Sequence, residues 1–533
     1  MHSLQKAKHL LVPLILAAFA TGSPAQEINA HIGNAAAKAG NGIANWYQAR
    51  GNNSVWDGER IGGLAEFIKS LDDHGLSPSL FQFDTWDAEW RSPSPDPSER
   101  AAVEVGTTQL ALYAIQSLAY GFVDPTEVHP KWDEIPRKVS AYQFLEQALQ
   151  QPPSQFASFL LESVPPHDRR YEDMVQTLAK YRRIESLGGW RSLLATPEPA
   201  GPGSKYPDLK LLRSRLQAEG DLPSGAGGKK RDSVIDERTG DAIKSFQFRH
   251  GIEPDGFLGT QTLQELNIPT RQRINTLIVN IDRLRWMPRS WEQVEHIEVN
   301  IAESALRLFN NRRQVTVMPV IVGVKGKHQT PVFHGKIQHL IFRPYWNVPH
   351  SIAKTELVPE ALKNPAGYMA EHNYQLVESY GVSDSQALPV TVENLQRAAS
   401  GSLLMRQSSG PNNSLGLVKF IFPNDSSVYL HDTPDHTLFE RADRDFSHGC
   451  VRVARPDELA TLLLQRDDRN WNVNAVRASM EDVGNPNRKE EFGTSMPVYL
   501  GYWTSTIMSD GRVRFDQDMY GHDRVMFQKF GLN

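Results

Sequence analysis

At Met287-Pro288 the apolar residues of this 533-residue chain change their spacing, and that change divides it into two kinds of structure. Upstream, Ile274, Leu277, Ile278, Ile281 and Leu284 recur at the interval of an amphipathic helix. Downstream, His296-Ile-Glu-Val-Asn-Ile301 alternates, and Val315 to Val324 is rich in Val and Ile, both strand patterns. Ser427-Val-Tyr-Leu430 reads as a further strand. Pro497-Val-Tyr-Leu500 and Val513-Arg-Phe515, flanking the turn formers Ser509-Asp-Gly511, read as a hairpin. The chain is thus expected to be a multidomain α+β protein, helical first and β-rich afterwards.

A single hydrophobic core does not extend over this length, so several domains are expected. Leu64, Phe67 and Leu71 keep helical spacing, as do Leu110, Tyr113, Ile115 and Leu118, with Trp46, Tyr47 and Trp56 as anchors. No paired carboxylates or metal-ligand spacing occur there, so residues 26–200 read as a helical scaffold. Thr196-Pro-Glu-Pro-Ala-Gly-Pro-Gly-Ser204 is a linker. A small helical unit follows over 201–270, with Leu209, Leu212 and Leu216 on one face and a Gly- and Lys-rich loop at 225–230. Ile243 and Phe246 mark a second helix that stops at Gly251, and Asp255-Gly256 turns into a third. Residues 271–533 form the β-rich domain. Within it, about 335–420 carries helix signals (Ile352 to Leu362) and many turn formers, a length that suits a lid or substrate subdomain.

Lys6 and Lys8, an apolar run from Leu10 to Ala20 and small residues through Ala25 make residues 1–25 an export signal, or a membrane anchor if it stays uncleaved. The 57 basic and 62 acidic residues leave a net charge of −5 without a run of like charge, which argues against a nucleic-acid partner. Export sharpens the meaning of Cys450, the sole cysteine, because secreted proteins ordinarily use cysteines in pairs. A lone thiol is either a small buried hydrophobe or a working group. Its neighbours decide.

Those neighbours are Val428-Tyr-Leu-His431-Asp-Thr-Pro434 and Phe446-Ser-His-Gly-Cys450-Val-Arg452. Acyl transfer by a thiol needs a thiolate, a base and donors for the oxyanion. A free thiol with a pKa near about 8.5 is little ionised at neutral pH, and a nearby imidazole both takes its proton and stabilises the anion. His431, at a strand end, can face a loop that returns at Cys450. Gly449 leaves room for a substrate carbonyl, and the amides of Gly449 and Cys450 are candidate oxyanion donors. A zinc set of His431, His436, His448 and Cys450 matches no usual spacing and would quench the nucleophile. Asp435 and His436 read as surface residues.

The ordered pattern of His431 followed by Ser-His-Gly-Cys-Val-Arg resembles the active-site signature of the L,D-transpeptidases, over roughly Val294 to Leu500. Arg406-Gln-Ser-Ser-Gly-Pro-Asn-Asn-Ser-Leu-Gly416 resembles that family's pre-catalytic stretch. Ala242-Ile-Lys-Ser-Phe-Gln-Phe-Arg-His-Gly251 with Asp255-Gly-Phe-Leu-Gly-Thr260 resembles a three-helix peptidoglycan-binding domain, and the combination looks like the large multidomain members of Gram-negative bacteria. The resemblance implies Cys450 as nucleophile, His431 as general base and acid, and the Asp432 backbone carbonyl as the group that orients the imidazole. His448 would support the pocket, Tyr429 would add a hydroxyl to the oxyanion site, and Arg452 would hold a substrate carboxylate. Loop packing, a core aromatic and a buried ion pair are equally open readings of Ser447, Tyr429 and Arg452. The family implies no metal, nucleotide or other cofactor, and partners that are peptidoglycan stem peptides, a donor tetrapeptide and an acceptor stem, with other wall-synthesis enzymes as candidates. It also implies a periplasmic location, acylation by carbapenems, and 3→3 cross-linking with release of D-alanine. Hydrolysis, lipoprotein attachment by the same site and a non-catalytic wall-binding scaffold are the alternatives. A papain-like hydrolase would place Cys before His, the reverse of the order here.

Overall fold

The computed structural model describes residues 24–132, 140–223, 233–289, 291–381, 386–468 and 470–532. The apolar run Leu10 to Ala20, read as part of an export signal, and the 225–230 loop lie outside them. Among the described residues, no helix is long and apolar enough to cross a membrane.

The first segment folds as helices, chiefly Gly58–Ser70, Pro97–Tyr120, Ala141–Gln150 and Arg169–Ser186. Their starts are set locally. Asp57 accepts from Arg60 N, Asp96 precedes Pro97 at the first helical position, and Ser140 with Gln143 closes a capping box. Leu64, Phe67, Leu71, Ile115 and Leu118 are buried, as their spacing requires. Glu104, buried mid-helix, accepts from Val55 N at 2.8 Å and Ser54 Oγ at 2.7 Å and so ties down the loop beyond Tyr47. The helices Leu209–Glu219, Glu237–Arg249 and Thr260–Leu266 enclose a separate core of Leu212, Leu216, Ile243 and Phe246. Gln247 holds their turn. Its Nε2 donates to Asp255 Oδ1 (2.7 Å), Phe257 O (2.9 Å) and Thr262 Oγ1 (3.0 Å), and its Oε1 accepts from Gly256 N. The unit is bonded to its surroundings through Arg249 Nη1 to Val513 O (3.1 Å), Arg512 Nη1 to Asp221 (2.9 Å) and Tyr181 OH to Glu219 (2.9 Å).

The helix Thr270–Arg285 reads as amphipathic, yet its polar face is buried as well. Three of its polar side chains are matched across the interface. Asp282 accepts from the amides of Phe122 and Val123, Arg283 pairs with Asp523, and Asn280 bonds Thr504. The helix therefore sits between the scaffold and the β domain as a shared element, and the two halves form one continuous apolar core.

The strands are β1 (His296–Asn300), β2 (Ala305–Asn310), β3 (Arg313–Gly323), β4 (Phe333–Phe342), β5 (Trp346–Asn347), β6 (Tyr374–Val377), β7 (Leu404–Gln407), β8 (Val418–Ile421), β9 (Leu430–His431), β10 (Asp445–Ser447), β11 (Val451–Val453), β12 (Arg488–Gly501), β13 (Ser505–Ile507) and β14 (Val513–Phe515). The main sheet runs β10-β3-β11-β9-β8-β4-β12-β1-β2, and a further β2–β3 pairing closes it into a barrel with β10 at its side. Three expectations change. β9 is shorter than the 427–430 reading, because the Asn424 side chain binds both N and O of Val428 and takes it out of the ladder. Val513–Phe515 does form a hairpin, but with Ser505–Ile507, since Pro497–Leu500 is claimed by β1 and β4 on either side. β4 belongs to the barrel, so the insertion begins after Phe342 rather than near 335. That insertion has its own β5-β7-β6 sheet and its own core, with Val348, Leu376, Leu395 and Met405.

β1 alternates in sequence but is buried at every position. Its polar face is covered by the scaffold, where Arg170 reaches Glu298 at 2.5 Å and Glu292 at 2.9 Å, and His296 Nε2 lies 2.8 Å from Glu298. Burial alone would raise the Glu298 carboxyl, but Arg170 and His296 hold it at about 2. A depressed carboxylate contributes stability above its unfolded pKa and loses it as pH falls toward the folded value. Arg170→Ala is expected to lower unfolding stability at pH 7 by about 3–5 kcal/mol, the cost of stranding a buried charge. The deficit should narrow below the ordinary Glu range, near about 4.3. Urea melts across that range would show an unchanged midpoint if this ion cluster did not hold scaffold to barrel.

Candidate active site

The sequence-predicted residues meet where β11 runs beside β9. The pair is parallel, with Val451 opposite Leu430 and Arg452 opposite His431, and Lys419 of β8 lies opposite His431 on its other flank. Side chains alternate along a strand, so Cys450, Arg452, Tyr429, His431 and Lys419 project from one face, while Leu430, Val451 and Phe420 fill the core behind.

His431 is buried, and its Nδ1 lies 2.5 Å from the Asp432 carbonyl oxygen. That contact assigns the proton to Nδ1 and leaves Nε2 as the basic nitrogen. The carbonyl is fixed in turn. The Asp432 carboxylate accepts from Leu417 N (2.8 Å) and Thr433 N (2.7 Å) and faces His436 at 3.1 Å. Gly416, at φ +61°, makes this possible, since a Cβ there would stand 2.3 Å from the Asp432 carboxyl. Burial, then Arg452, pushes the His431 pKa down to about 3. The half-buried Cys450 thiol moves the opposite way, raised by burial to about 11 although Tyr429, Arg452 and Lys419 favour the thiolate. Thiol and imidazole are therefore both neutral at rest, not the ion pair that their residue types suggest. Cys450 Sγ instead meets Ser427 O at 3.6 Å and the Tyr429 hydroxyl, and no hydrogen bond joins it to the His431 ring among the described residues.

The loop before the thiol is tightly braced. Ser447 Oγ donates to Cys450 O at 2.5 Å and accepts from Gly449 N at 3.1 Å. Ser447 thus braces the loop, and the Gly449 amide, read from the sequence as a candidate oxyanion donor, donates to its hydroxyl in this structure. Gly449 itself is needed for its backbone, at φ +110°, and its carbonyl accepts from Thr330 Oγ1 at 2.9 Å. His448 meets Glu356 of the insertion, whose carboxylate oxygen lies 3.0 Å from its Nε2.

Sequence reasoning missed Lys419 and Thr330. Lys419 is a cation within the short strand Val418-Lys-Phe-Ile421, whose neighbours Val418 and Phe420 are fully buried. Burial lowers its pKa to about 8, and its ammonium lies over the Tyr429 ring at 5.9 Å. A lysine flanked by core residues in a strand beside the motif was the available signal.

Thiol and oriented imidazole thus share one face of the barrel, at the junction of β9 and β11. Residues 294–477 match the family described as the L,D-transpeptidase catalytic domain. Residues 41–178 match a scaffold domain and 205–266 a "Putative peptidoglycan binding domain". A Haemophilus influenzae protein named "Putative L,D-transpeptidase" is 32% identical over 286 residues, 52% of this chain. The chain spans about half of that relative, 55% of its length. Solved L,D-transpeptidases from Stackebrandtia nassauensis (14% identity, TM-score 0.20) and Xylanimonas cellulosilytica (16%, TM-score 0.17) each overlap 58% of this chain. They cover 97% and 100% of their own lengths, and at those scores they bear no weight for the fold.

The electrostatics predict a thiol that alkylates with a pKa above the ordinary range. Its iodoacetamide rate should climb through alkaline pH without an acidic plateau. Lys419→Met, which removes a charge favouring the thiolate, should slow labelling further at any given pH. A rate constant already saturated near neutrality would contradict the neutral resting pair.

Proposed function

We propose that the protein is a cysteine-dependent L,D-transpeptidase acting on peptidoglycan stem peptides in the periplasm and forming 3→3 cross-links. The observation that carries this reading is the shared face of Cys450 and His431, with the imidazole held by the Asp432 carbonyl so that Nε2 is free. Cys450 Sγ attacks the carbonyl of the third residue, a diaminopimelate, in a donor tetrapeptide, while its proton passes to His431 Nε2. The Cys450 amide and Tyr429 hydroxyl receive the developing oxyanion, and Lys419 and Arg452 oppose the cost of charge in the buried site. His431 returns the proton to the departing D-alanine amine, leaving a thioester. The side-chain amine of a second diaminopimelate then attacks, loses its proton to His431 and frees the thiol.

A neutral resting pair suits this sequence. The thiol stays protected until substrate displaces water and brings charge-stabilising donors into play. Nucleophile–base contacts are commonly loose before substrate binds. The matched scaffold and peptidoglycan-binding regions support the wall as the site of action and a cross-linking role for the chain.

Cys450→Ala is expected to abolish D-alanine release from tetrapeptide muropeptides, read by mass spectrometry, and to abolish carbapenem adducts while leaving the fold unchanged. Turnover at the wild-type rate would discard the nucleophile. His431→Ala should slow acylation by about 10²–10⁴-fold. Tripeptide product without cross-linked dimer, when an acceptor stem is supplied, would replace transpeptidation by hydrolysis.

A further inference from the structure

Three segments that the mechanism does not use together converge beside the catalytic loop. His328 lies in the connection after β3, Glu356 in the insertion, and His448 next to Gly449, and one candidate ligand atom from each lies within 4.8 Å of the others. Both oxygens of Glu356 sit 3.0 and 3.1 Å from His448 Nε2. The rings of His328 and His448 are 4.6 Å apart. A simple ion pair would need only Glu356 and His448. The third group is the informative one: His328 Nε2 is shut off from solvent and has no hydrogen-bond partner. An imidazole nitrogen so placed is costly unless something binds it.

The backbone around these groups is built for fixed positions. The carbonyl of His328 crosses so close to Gly323 that a Cβ there would lie 1.8 Å from it, and His328 N donates to Val324 O at 3.0 Å. Glu356 occupies a π-helical turn, Ala353–Leu357, between the helical turns His350–Ile352 and Val358–Ala361. Pro359 explains the widened turn. It lacks an N–H and would crowd the carbonyl of residue 355 in a regular helix. Two imidazoles and one carboxylate from three rigid segments are the ligand set of a zinc-type site with one open position.

We propose that His328, Glu356 and His448 form a binding site for a divalent cation of the Zn²⁺ type, which pins the insertion against the loop carrying Cys450. Two ligands belong to the barrel and one to the insertion, so the ion bridges them. No redox step or bond cleavage is involved; the ion replaces the proton-mediated Glu356–His448 contact by coordination. The site is distinct from the thiol, and its occupancy is measured without turnover.

The test uses the full chain, with Zn²⁺ in calorimetry and Co²⁺ as the visible-absorption probe. One equivalent should bind to wild type and equally to Cys450→Ala, with tetrahedral d–d bands and no thiolate charge-transfer band. His328→Ala and Glu356→Gln should each weaken binding at least about tenfold, the scale reached even by outer partners of metal ligands. Their circular dichroism should remain native. Zn²⁺ should raise hydrogen-exchange protection over 350–361 in wild type and not in His328→Ala. Absence of binding, survival of binding in either ligand variant, or its loss in Cys450→Ala would overturn the site. Unchanged protection over 350–361 would overturn the bridging role.

Discussion

The lateral pairing of β9 with β11 governs everything at the candidate site. It is only two residue pairs long, Val451 with Leu430 and Arg452 with His431. Side chains in a strand alternate, so a slip of one residue would send the imidazole into the core and leave Leu430 facing the thiol. The register is held because the opposite faces are not interchangeable: Leu430, Val451 and Val453 are fully buried, and their neighbours are polar or charged. Hydrophobic burial thereby fixes the geometry of the polar groups, and the Asp432 carbonyl then fixes which nitrogen of the ring is basic.

Around this pair the protein raises the cost of charge and also prepares its relief. Burial suppresses both the thiolate and the imidazolium, while Lys419, Arg452 and the Tyr429 hydroxyl all favour the anion. The two tendencies do not cancel at rest. They make the state of the thiol sensitive to what else binds beside it. The insertion, with its separate core, reaches this region through the contact of Glu356 with His448, two residues before Cys450.

Much of the site was legible because its residues are close in sequence. His431 and Cys450 with their immediate neighbours form two short ordered stretches in one order along the chain, and the orienting role of the Asp432 backbone needed only adjacency. Helix faces such as Leu64, Phe67 and Leu71 were legible for the same reason. The rest depended on partners distant in the chain. Nothing in His296–Asn300 reveals that Arg170 covers its polar face, and nothing in Val513–Phe515 shows that Pro497–Leu500 is already paired elsewhere. The Gly449 amide donates to Ser447 because that side chain turns back on it, a matter of loop geometry. Lys419 and His328 come to the site by tertiary folding, so spacing along the chain did not announce them.

The small three-helix unit is stitched to the rest of the molecule by Arg249, Asp221, Arg512, Glu219 and Tyr181, through groups that are mostly withdrawn from water. Such attachments remove the swing that a flexible tether would allow. A polymer gripped by that unit and a peptide lying at the sulfur would stand at a separation dictated by the protein, in the manner of a caliper with its jaws locked. Reach along the polymer would then come from moving the whole molecule, not from stretching it.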